Sequence, residues 1–174
     1  MKSEELKIIE ARFSNHEAKI VQAEIRKSAD ITGYSRRELL RQKNVFKGFI
    51  DGEFAGSCIN FEFGENWTEL SGFIVAEKFR GQGIGKMLFE SAYQSAIKNQ
   101  KNIFVVSRNP AMKKIINPKE FKIIRKFRQL PQVIKLHEFR FAISWYRFLE
   151  LIRKSFSLKK SGKIVYYTKK FEHL

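Results

Sequence analysis

The sequence predicts a mixed α/β or α+β fold in one domain that spans residues 1–174. Three observations support this prediction. The chain has 174 residues, of which 43% are hydrophobic, so it is long and apolar enough to bury a core. Strand-like and helix-like patterns alternate along it, in the order β-α-α-β-β-β-α-β-α-β-α-β. No internal repeat, low-complexity segment or linker divides the sequence.

Each element is predicted from its hydrophobic periodicity and from the residues that start or end it. Asn15 and Ser35 are the expected caps of the first two helices, and Asp51-Gly52 is a two-residue hairpin turn. In chain order, the predicted elements are a strand over 7–13, helices over 16–28 and 36–42, strands over 45–50, 54–63 and 67–76, a helix over 83–99, a strand over 102–107, a helix over 110–116, a strand over 121–129, a long helix over 132–156 and a last strand over 163–171.

The positive charge of the chain lies entirely in its second part. Residues 98–174 hold 20 basic and 4 acidic side chains, whereas residues 1–97 hold 14 of each. A basic half suggests an anionic partner such as nucleic acid, an acidic lipid or a phosphorylated ligand. The alternative is a Lys-rich surface that is simply solvated, and the sequence does not favour nucleic acid over it.

The composition also limits the compartment and the chemistry. Cys58 is the single cysteine, so the chain cannot form an internal disulfide, and no Cys/His spacing predicts a metal site. Residues 1–13 carry several charges and no apolar core, so no secretory signal is expected. The apolar-rich stretch 139–152 is too short and too charged to span a bilayer. We therefore expect a cytoplasmic protein with no transmembrane segment and no metal.

The most informative segment follows the strand that ends at Ala76. It reads Arg80-Gly81-Gln82-Gly83-Ile84-Gly85-Lys86 and leads directly into a helix. Glycines let the chain approach a ligand closely, and the free N–H groups of a helix N-terminus bind phosphate. A dinucleotide fingerprint fails because Lys86 stands where its third Gly belongs, and a P-loop fails because Arg80 replaces its first Gly. The pattern R-x-x-G-x-G fits without gaps, and a purely structural glycine turn is the alternative.

This segment resembles the GNAT superfamily, the Gcn-type N-acetyltransferases. The resemblance rests on Phe73-Ile74-Val75, on the five-residue step from Val75 to Arg80, on the glycine loop and its helix, and on the strand 103–106 with Asn109. It implies a central mixed, mostly antiparallel sheet flanked by helices. The extra long helix predicted before the last strand is a departure, because family members normally connect their last two strands more briefly. It also implies transfer of an acetyl group from acetyl-CoA, held between two splayed strands, to a primary amine of an unidentified acceptor.

The resemblance also assigns residues to the cofactor. It implies that the pyrophosphate lies on the backbone of Gln82, Gly83, Gly85 and Lys86, and that pantetheine pairs with the backbone of nearby strand residues. Asn109 has a second expected role as the cap of the helix that starts at Pro110. The full set of expected cofactor-binding residues is Phe73, Ile74, Val75, Arg80, Gly81, Gln82, Gly83, Ile84, Gly85, Lys86, Asn109 and Met112.

Glu69 is the candidate general base. Strand alternation predicts that it shares one face with Phe73 and Val75, and some family members resemble this arrangement with a glutamate six residues before the strand-end Val. The alternative is a solvated strand carboxylate. The tyrosine that commonly protonates coenzyme A in the family is replaced by Ile116. That replacement supports a second hypothesis, a GNAT-fold protein that binds an acyl-CoA or a polyanion with little catalysis.

The remaining reactive side chains receive no chemical role from the sequence. Cys58 lies in an apolar strand and is interpreted as a packing residue. The three histidines, His16, His137 and His173, show no ligand spacing, so we assign them no function.

The predicted helical insertion over 132–156 carries more apolar surface than one helix on a sheet normally hides. Three interpretations are open at this point: core packing with a lid over the acceptor cleft, a homodimer interface, and an interfacial membrane helix with basic flanks.

Overall fold

The computed structural model describes residues 6–31, 33–116, 120–157 and 162–171, and their backbone forms seven strands and six α-helices. The strands are β1 (Leu6–Glu10), β2 (Val45–Ile50), β3 (Glu53–Phe63), β4 (Trp67–Val75), β5 (Asn102–Ser107), β6 (Lys122–Ile124) and β7 (Val165–Lys169). The helices are α1 (Asn15–Lys27), α2 (Arg36–Arg41), α3 (Ile84–Lys98), α4 (Pro110–Ile115), α5 (Gln132–Ala142) and α6 (Trp145–Ser157). Short 3₁₀ turns cover Glu77–Phe79 and Phe127–Gln129.

The described strands form one sheet in the order β1-β2-β3-β4-β5-β7-β6. Every pairing is antiparallel except that between β4 and β5, which is parallel. Helix α3 covers one face, where Leu88 is fully buried, and α1 covers the other, where Val21 and Ile25 are fully buried. This arrangement confirms the predicted mixed, mostly antiparallel sheet flanked by helices.

The start of α1 differs from the prediction by one residue. Ser14, and not Asn15, is the cap: its hydroxyl accepts from the Glu17 N–H, and the Glu17 carboxylate accepts from the Ser14 N–H. This reciprocal pair satisfies two of the free N–H groups at the helix start. The Asn15 side chain instead accepts a hydrogen bond from Arg36 of α2. The second predicted cap, Ser35, is confirmed, and it forms the same kind of pair with Glu38.

A bulge in β4 overturns the predicted strand alternation. Gly72 has a φ of +55°, and the register between β3 and β4 shifts around it. Such a bulge inserts one extra residue and reverses the faces of all later side chains. Phe73 and Val75 consequently contact Gly85 on the α3 side of the sheet, whereas Glu69 faces α5 on the other side. The prediction that these three residues share a face is therefore wrong.

The C-terminal region departs furthest from the predicted elements. The expected strand over 121–129 is only three residues long and continues as a 3₁₀ turn. The expected helix over 132–156 is interrupted after Ala142 and is two helices, α5 and α6. Arg147 of α6 donates to the carbonyl oxygen of Phe141, 3.2 Å away, so it satisfies a backbone group near the break. The break changes the direction of the chain and gives the two helices separate partners.

Candidate active site

The central feature of the site is a divergence between β4 and β5. The two strands pair at Trp67–Asn102, Thr68–Ile103 and Glu69–Phe104, and the parallel ladder stops there. Beyond Glu69, β4 stays with β3, while β5 continues on β7. A V-shaped opening follows from this geometry, between the second half of β4 and the end of β5.

A cleft of about 190 Å³ occupies this opening. Its volume fits the narrow end of a ligand and not a whole nucleotide, since pockets for complete small molecules usually exceed about 300 Å³. The lining combines strand residues with side chains from α5 and from the segment before α2. The lining residues used below are Tyr34, Glu69, Ser71, Phe73, Asn109, Met112, Glu138, Phe141 and Tyr166.

The glycine loop leads from the end of β4 to the start of α3. Gly81 and Gly83 have φ values of +83° and +80°, a conformation that favours glycine, and a Cβ at either position would meet no atom within 4 Å. These two glycines are therefore required by the backbone path, and the space beside them is open. Gly85 serves a different purpose, since a Cβ there would lie 3.1 Å from the Phe73 ring.

The first turn of α3 has no side-chain cap. Gly83 occupies the cap position, no acidic residue lies in the first turn, and Lys86 is exposed there. The N–H groups at the start of this 15-residue helix thus lack the partner that capped α1 and α2. Free N–H groups and the positive end of the helix dipole make this turn suited to an anion.

Arg80 holds the loop in place. Its Nε donates to the carbonyl oxygen of Val75 at 3.2 Å, and its Nη2 lies 2.8 Å from Oε2 of Glu24 in α1. The guanidinium therefore bridges the end of β4 to α1, and Glu24 offsets its charge. These contacts show that Arg80 stabilises the loop structurally, in addition to its expected place among the cofactor-binding residues.

The other predicted cofactor residues divide into two groups. Phe73, Asn109 and Met112 line the cleft, whereas Val75 lies against Gly85 on the α3 side of the sheet and is not part of the lining. Asn109 also caps α4, where its side-chain oxygen accepts from the Ala111 N–H at 2.9 Å. The side chains of Ile74 and Ile84 are buried in the hydrophobic core. The structure brings the exposed Gln82 to the open face of the loop.

Glu69 lies in a buried cluster with two residues of α5. Its Oε2 is 2.8 Å from Nε2 of His137, and both side chains are almost fully buried. The His137 ring stacks on Phe63 with 3.9 Å between ring centroids, which fixes its orientation. Donor atoms of Glu69, His137 and Glu138 all lie within 4.8 Å of one another. Glu69 is thus a buried, paired carboxylate and not the solvated strand residue of the alternative interpretation.

One carboxyl group of this cluster, that of Glu138, has a pKa close to neutral pH. Burial, followed by the negative charge of Glu69, raises the pKa of Glu138 to about 7. Burial, and then the same Glu69 charge, raises the pKa of Tyr34 far above its usual value, so its hydroxyl stays protonated. A carboxyl group that exchanges protons near pH 7 and a protonated phenol therefore line one cleft.

Sequence reasoning missed His137 and Glu138. They lie 68 and 69 residues after Glu69 along the chain, on a helix that was interpreted as an insertion. No local spacing connects them to β4, because it is the packing of α5 over the sheet that brings them together. Of the other two histidines left without a role, His16 lies in α1 and His173 lies outside the described residues.

Two further expectations concern residues that the structure places in the core. Cys58 is fully buried, and burial raises the pKa of its thiol to about 12, which agrees with a packing role. Ile116 is also buried and packs in the core cluster under α3. It is absent from the cleft lining, so a tyrosine at this position would enter the core and not the cleft. Replacing it therefore offers no means of restoring an acid group.

Sequence comparison identifies the family. The profile of the acetyltransferase (GNAT) family matches residues 12–114, which is more than half of the chain. The chain belongs to the GNAT acetyltransferase family. The match contains β4, the glycine loop, α3, β5 and Asn109, and it confirms the resemblance drawn from those residues. No curated protein sequence matches this GNAT chain.

Solved structures support the same fold. N-acetylglutamate synthase from Neisseria gonorrhoeae, complexed with coenzyme A and N-acetyl-glutamate, has a TM-score of 0.67 at 16% identity; the match covers 99% of this GNAT chain and 36% of the synthase. The chain thus spans about a third of the length of that relative. The ribosomal-protein-S18-alanine N-acetyltransferase from Escherichia coli has a TM-score of 0.62 at 12% identity, covering 98% of this chain and 96% of its own.

A third similar structure is the diaminobutyrate acetyltransferase from Paenibacillus lautus, in complex with L-2,4-diaminobutyric acid and coenzyme A. It has a TM-score of 0.62 at 12% identity, and the match covers 99% of both chains. At these identities the likeness establishes the GNAT fold, while the chemistry of this member must be argued from its own cleft.

The carboxylate–histidine cluster also has the composition of a metal-binding site. Two carboxylates and one imidazole are donors that a divalent cation accepts. Two of these possible metal ligands, Nε2 of His137 and Oε2 of Glu69, are already hydrogen-bonded to each other. The sequence predicted no metal here, and a chelator control in the kinetic experiments below addresses the question directly.

Proposed function

We propose that this protein is an N-acetyltransferase that moves the acetyl group of acetyl-CoA to a primary amine. The observation that carries the proposal is the path of β4 itself, which leads from the Glu69–His137–Glu138 cluster, along an edge unpaired with β5 beyond Glu69, to the glycine loop and the uncapped start of α3. Such a path suits a donor with a phosphate-bearing end and a thioester end. The family and the coenzyme A complexes of similar structures support it.

The donor would bind by its two ends. Its pyrophosphate would take hydrogen bonds from the backbone of Gln82, Gly83, Gly85 and Lys86, where no side-chain cap competes. Its pantetheine would lie along the unpaired edge of β4 beside Phe73, with Asn109 and Met112 on the facing wall. In this position a backbone N–H near the end of β4 would polarise the thioester carbonyl.

The reaction needs a group that takes a proton from the amine. The amine lone pair attacks the thioester carbon, the carbon–sulfur bond breaks, and the nitrogen gives up one proton. Glu69 and Glu138 line the same cleft, and the raised pKa of Glu138 suits a proton acceptor at neutral pH. Holding amine and thioester together supplies much of the remaining rate enhancement.

The acceptor amine would approach past aromatic and acidic side chains. Tyr34, Phe141 and Tyr166 line the cleft next to the two glutamates, and they would exclude water from the reacting atoms. The carboxylates also favour the binding of an ammonium group before its proton is removed. The hypothesis of a binding protein without catalysis rests on the absence of the usual tyrosine at Ile116, and the burial of Ile116 supplies no other acid, so turnover of an amine acceptor decides between the two functions.

A substitution in the loop tests the donor site. In Gly83→Asp, a carboxylate would face the pyrophosphate, so binding of acetyl-CoA measured by calorimetry should be lost. Gly52→Asp is the matched control: Gly52 has a φ of +81°, like Gly83 at +80°, it also has no atom within 4 Å of a Cβ, and it lies in the distant β2–β3 turn. Unchanged affinity in Gly83→Asp would refute the loop assignment.

The same variants test the reaction. Release of free thiol from acetyl-CoA should be screened against polyamines, amino acids, aminoglycosides, peptides and tRNA. We expect turnover with one of these amine classes in the wild type and in Gly52→Asp, and none in Gly83→Asp. Binding of acetyl-CoA without turnover on any acceptor would leave the donor site standing and contradict the enzyme.

A further inference from the structure

Helix α6 has the reverse of the usual burial pattern of a surface helix, because its charged face is buried and its apolar face is exposed. Its charged residues Arg147, Glu150 and Lys154 are the buried ones, with exposures of 5%, 5% and 4%. Arg147 lies 2.9 Å from Glu38 of α2, and Glu150 lies 3.4 Å from Arg26 of α1. These residues recur at helical spacing and form one face. The polar face of α6 is therefore its attachment to the protein.

Each buried charge of this attachment has a partner, although Nε of Arg147 makes no hydrogen bond within the described part of the chain. Lys154 donates to the carbonyl oxygen of Ile25, in the last turn of α1, at 2.6 Å, and to that of Ile31, beyond the end of α1, at 2.7 Å. Arg147 also lies over the Phe141 ring, with 3.5 Å from its guanidinium carbon to the ring centroid. Because buried charges are costly unless they are paired, these contacts fix which face of α6 turns inward.

The opposite face of α6 is apolar and exposed, and the end of α5 extends it. Trp145 is 72% exposed and Ile143 is 64% exposed, in contrast with the usual burial of such residues. We call this surface the α5–α6 apolar face. Its members are Leu136, Phe139, Ile143, Trp145, Phe148, Leu149, Leu151 and Ile152. An apolar surface of this size on a folded protein indicates a partner.

The charges around this face have one sign. Both carboxylates of the two helices turn inward, Glu138 into the cleft and Glu150 toward Arg26. The cations Lys135 and Arg140 remain partly or fully exposed on α5, whereas the half-exposed Arg153 of α6 is paired with Glu150 at 2.9 Å. Among the described side chains of α5 and α6, the accessible surface is therefore mainly apolar or basic, with Gln132 and Ser155 as exposed uncharged polar residues.

We propose that the α5–α6 apolar face docks on a lipid bilayer that contains anionic lipids. Apolar and aromatic side chains would enter the boundary between headgroups and acyl chains, and the flanking cations would contact lipid phosphates. The net charge supports this occupant, since all of the +16 belongs to residues 98–174, which include both helices. An anionic surface attracts this half, whereas a second copy of the same half repels it.

The docking would be peripheral. In the described part of the chain, every helix is too short or too polar to cross a bilayer. Helix α6 has 13 residues and would lie in the plane of the interface, with its polar side already occupied by α1 and α2. The proposal does not depend on the acetyltransferase activity, because the cleft and the apolar face involve different sides of the insertion.

Vesicle binding by the full chain tests the proposal. The chain has two tryptophans, and Trp67 is buried, so W67F leaves the exposed Trp145 as the single fluorophore. We expect a blue shift of its emission, and co-sedimentation, with phosphatidylcholine vesicles that contain phosphatidylglycerol. Binding should be at least about tenfold weaker with pure phosphatidylcholine and should fall as salt is raised.

Paired variants locate the surface. Trp145→Ser combined with Phe148→Ser should lower co-sedimentation by about tenfold or more, because two large apolar side chains are lost. The matched control combines Ile123→Ser with Phe127→Ser, whose parent residues are 44% and 47% exposed elsewhere in the fold, and it should bind like the wild type. Circular dichroism verifies that each variant is folded.

Three results would overturn the proposal. The first is no co-sedimentation of the wild type with either vesicle. The second is equal loss in the control and the α6 variant, which would assign binding to general hydrophobicity. The third is a concentration-dependent dimer that the α6 variant abolishes, together with no vesicle binding, which would make a second copy the occupant of the face.

Discussion

At the scale of single residues, Glu138 is the group whose protonation the structure links to pH. Its pKa of about 7 lies well above the ordinary value of 4.5, because burial and the charge of Glu69 both disfavour its ionised form. A base must be unprotonated to act, so activity limited by Glu138 rises as the pH increases through about 7. Below that pH, protonated Glu138 would leave the amine without this acceptor.

We predict that Glu138→Gln removes this rise from the pH profile of kcat.

Glu69→Gln should lower kcat at neutral pH more than it changes KM for acetyl-CoA, because Glu69 lies at the acceptor end of the cleft and not at the glycine loop. Loss of a general base typically costs about 10²- to 10⁴-fold in rate. Steady-state kinetics from pH 5.5 to 9 measure both effects.

The controls for this experiment separate the base from two alternatives. Repeating it with a chelator checks for a metal at Glu69, His137 and Glu138, and full activity under chelation is expected. A Glu138→Gln variant with the wild-type pH profile would remove Glu138 from the mechanism. A wild-type pH profile of kcat in Glu69→Gln would leave Glu69 with a positioning role only.

The predictability of these residues follows from how each one reaches the cleft. Glu69 could be selected from the sequence because it lies a fixed number of residues before the loop on the same strand. His137 and Glu138 could not, because only the packing of α5 over the sheet brings them within 4.8 Å of Glu69. Local spacing carries information about one element and none about which helix will cover it.

At the scale of elements, the bulge in β4 decides which side chains meet. It turns Phe73 and Val75 toward α3 and leaves Glu69 toward α5, so the proposed donor-binding and acid–base residues lie on opposite faces of one strand. A signal was present in the sequence, since a glycine inside a strand pattern often marks a bulge. The apolar residues on both sides of Ser71 and Gly72 concealed it, because together they read as one strand.

We predict that Gly72→Ala destabilises the protein by about 3 kcal/mol. A non-glycine residue at positive φ costs about 1–2 kcal/mol, and crowding in a packed core adds about 1–3 kcal/mol. A Cβ at Gly72 would lie 2.3 Å from Cδ1 of Ile59. Urea denaturation monitored by circular dichroism gives the difference in the free energy of unfolding.

Gly52→Ala serves as the control for that measurement. Gly52 has a positive φ but no atom within 4 Å of a Cβ, so its replacement carries the backbone cost alone. Equal losses of stability in the two variants would mean that Ile59 moves aside freely, and that the close packing at the bulge is unimportant.

The break between α5 and α6 was beyond sequence prediction for a related reason. Residues 132–156 hold no Gly or Pro, so the pattern gives no stop signal, and a single helix was the natural prediction. The break depends instead on distant contacts, in which Arg147 pairs with Glu38 and bonds to the carbonyl of Phe141. Tertiary pairing of charged residues therefore outweighs local helix preference here.

At the scale of the whole molecule, the order of elements was predictable while their partners were not. Hydrophobic periodicity and caps located the hairpin β2–β3, the strand β5 and the helix α3 within a residue or two. The insertion was predicted as one unit, but it supplies Glu138 to the cleft lining, His137 to the cluster with Glu69, and a separate apolar surface. These roles depend on where the insertion folds back.

The distribution of charge gives a prediction for polyanions. Six basic residues that follow β5 in the chain are exposed, and none of them lies in the cleft lining: Lys113, Lys114, Lys122, Arg125, Lys126 and Arg128. We predict weak binding, equal for tRNA, duplex DNA and heparin, that falls steeply with salt as counterions are released. Titrations across a salt series measure this, and a strong preference for tRNA would indicate a specific nucleic-acid site.

The divergence of β4 from β5 also bears on the tendency of the protein to aggregate. From Leu70 onward, the described part of β4 presents backbone groups to the cleft without pairing to β5. Open strand edges attract foreign strands and promote aggregation. In the proposed complex, pantetheine covers this edge, and ligand binding raises the folded population by mass action. Bound acetyl-CoA would then protect the folded protein from aggregation, so the lifetime of the protein would depend on the supply of acetyl-CoA.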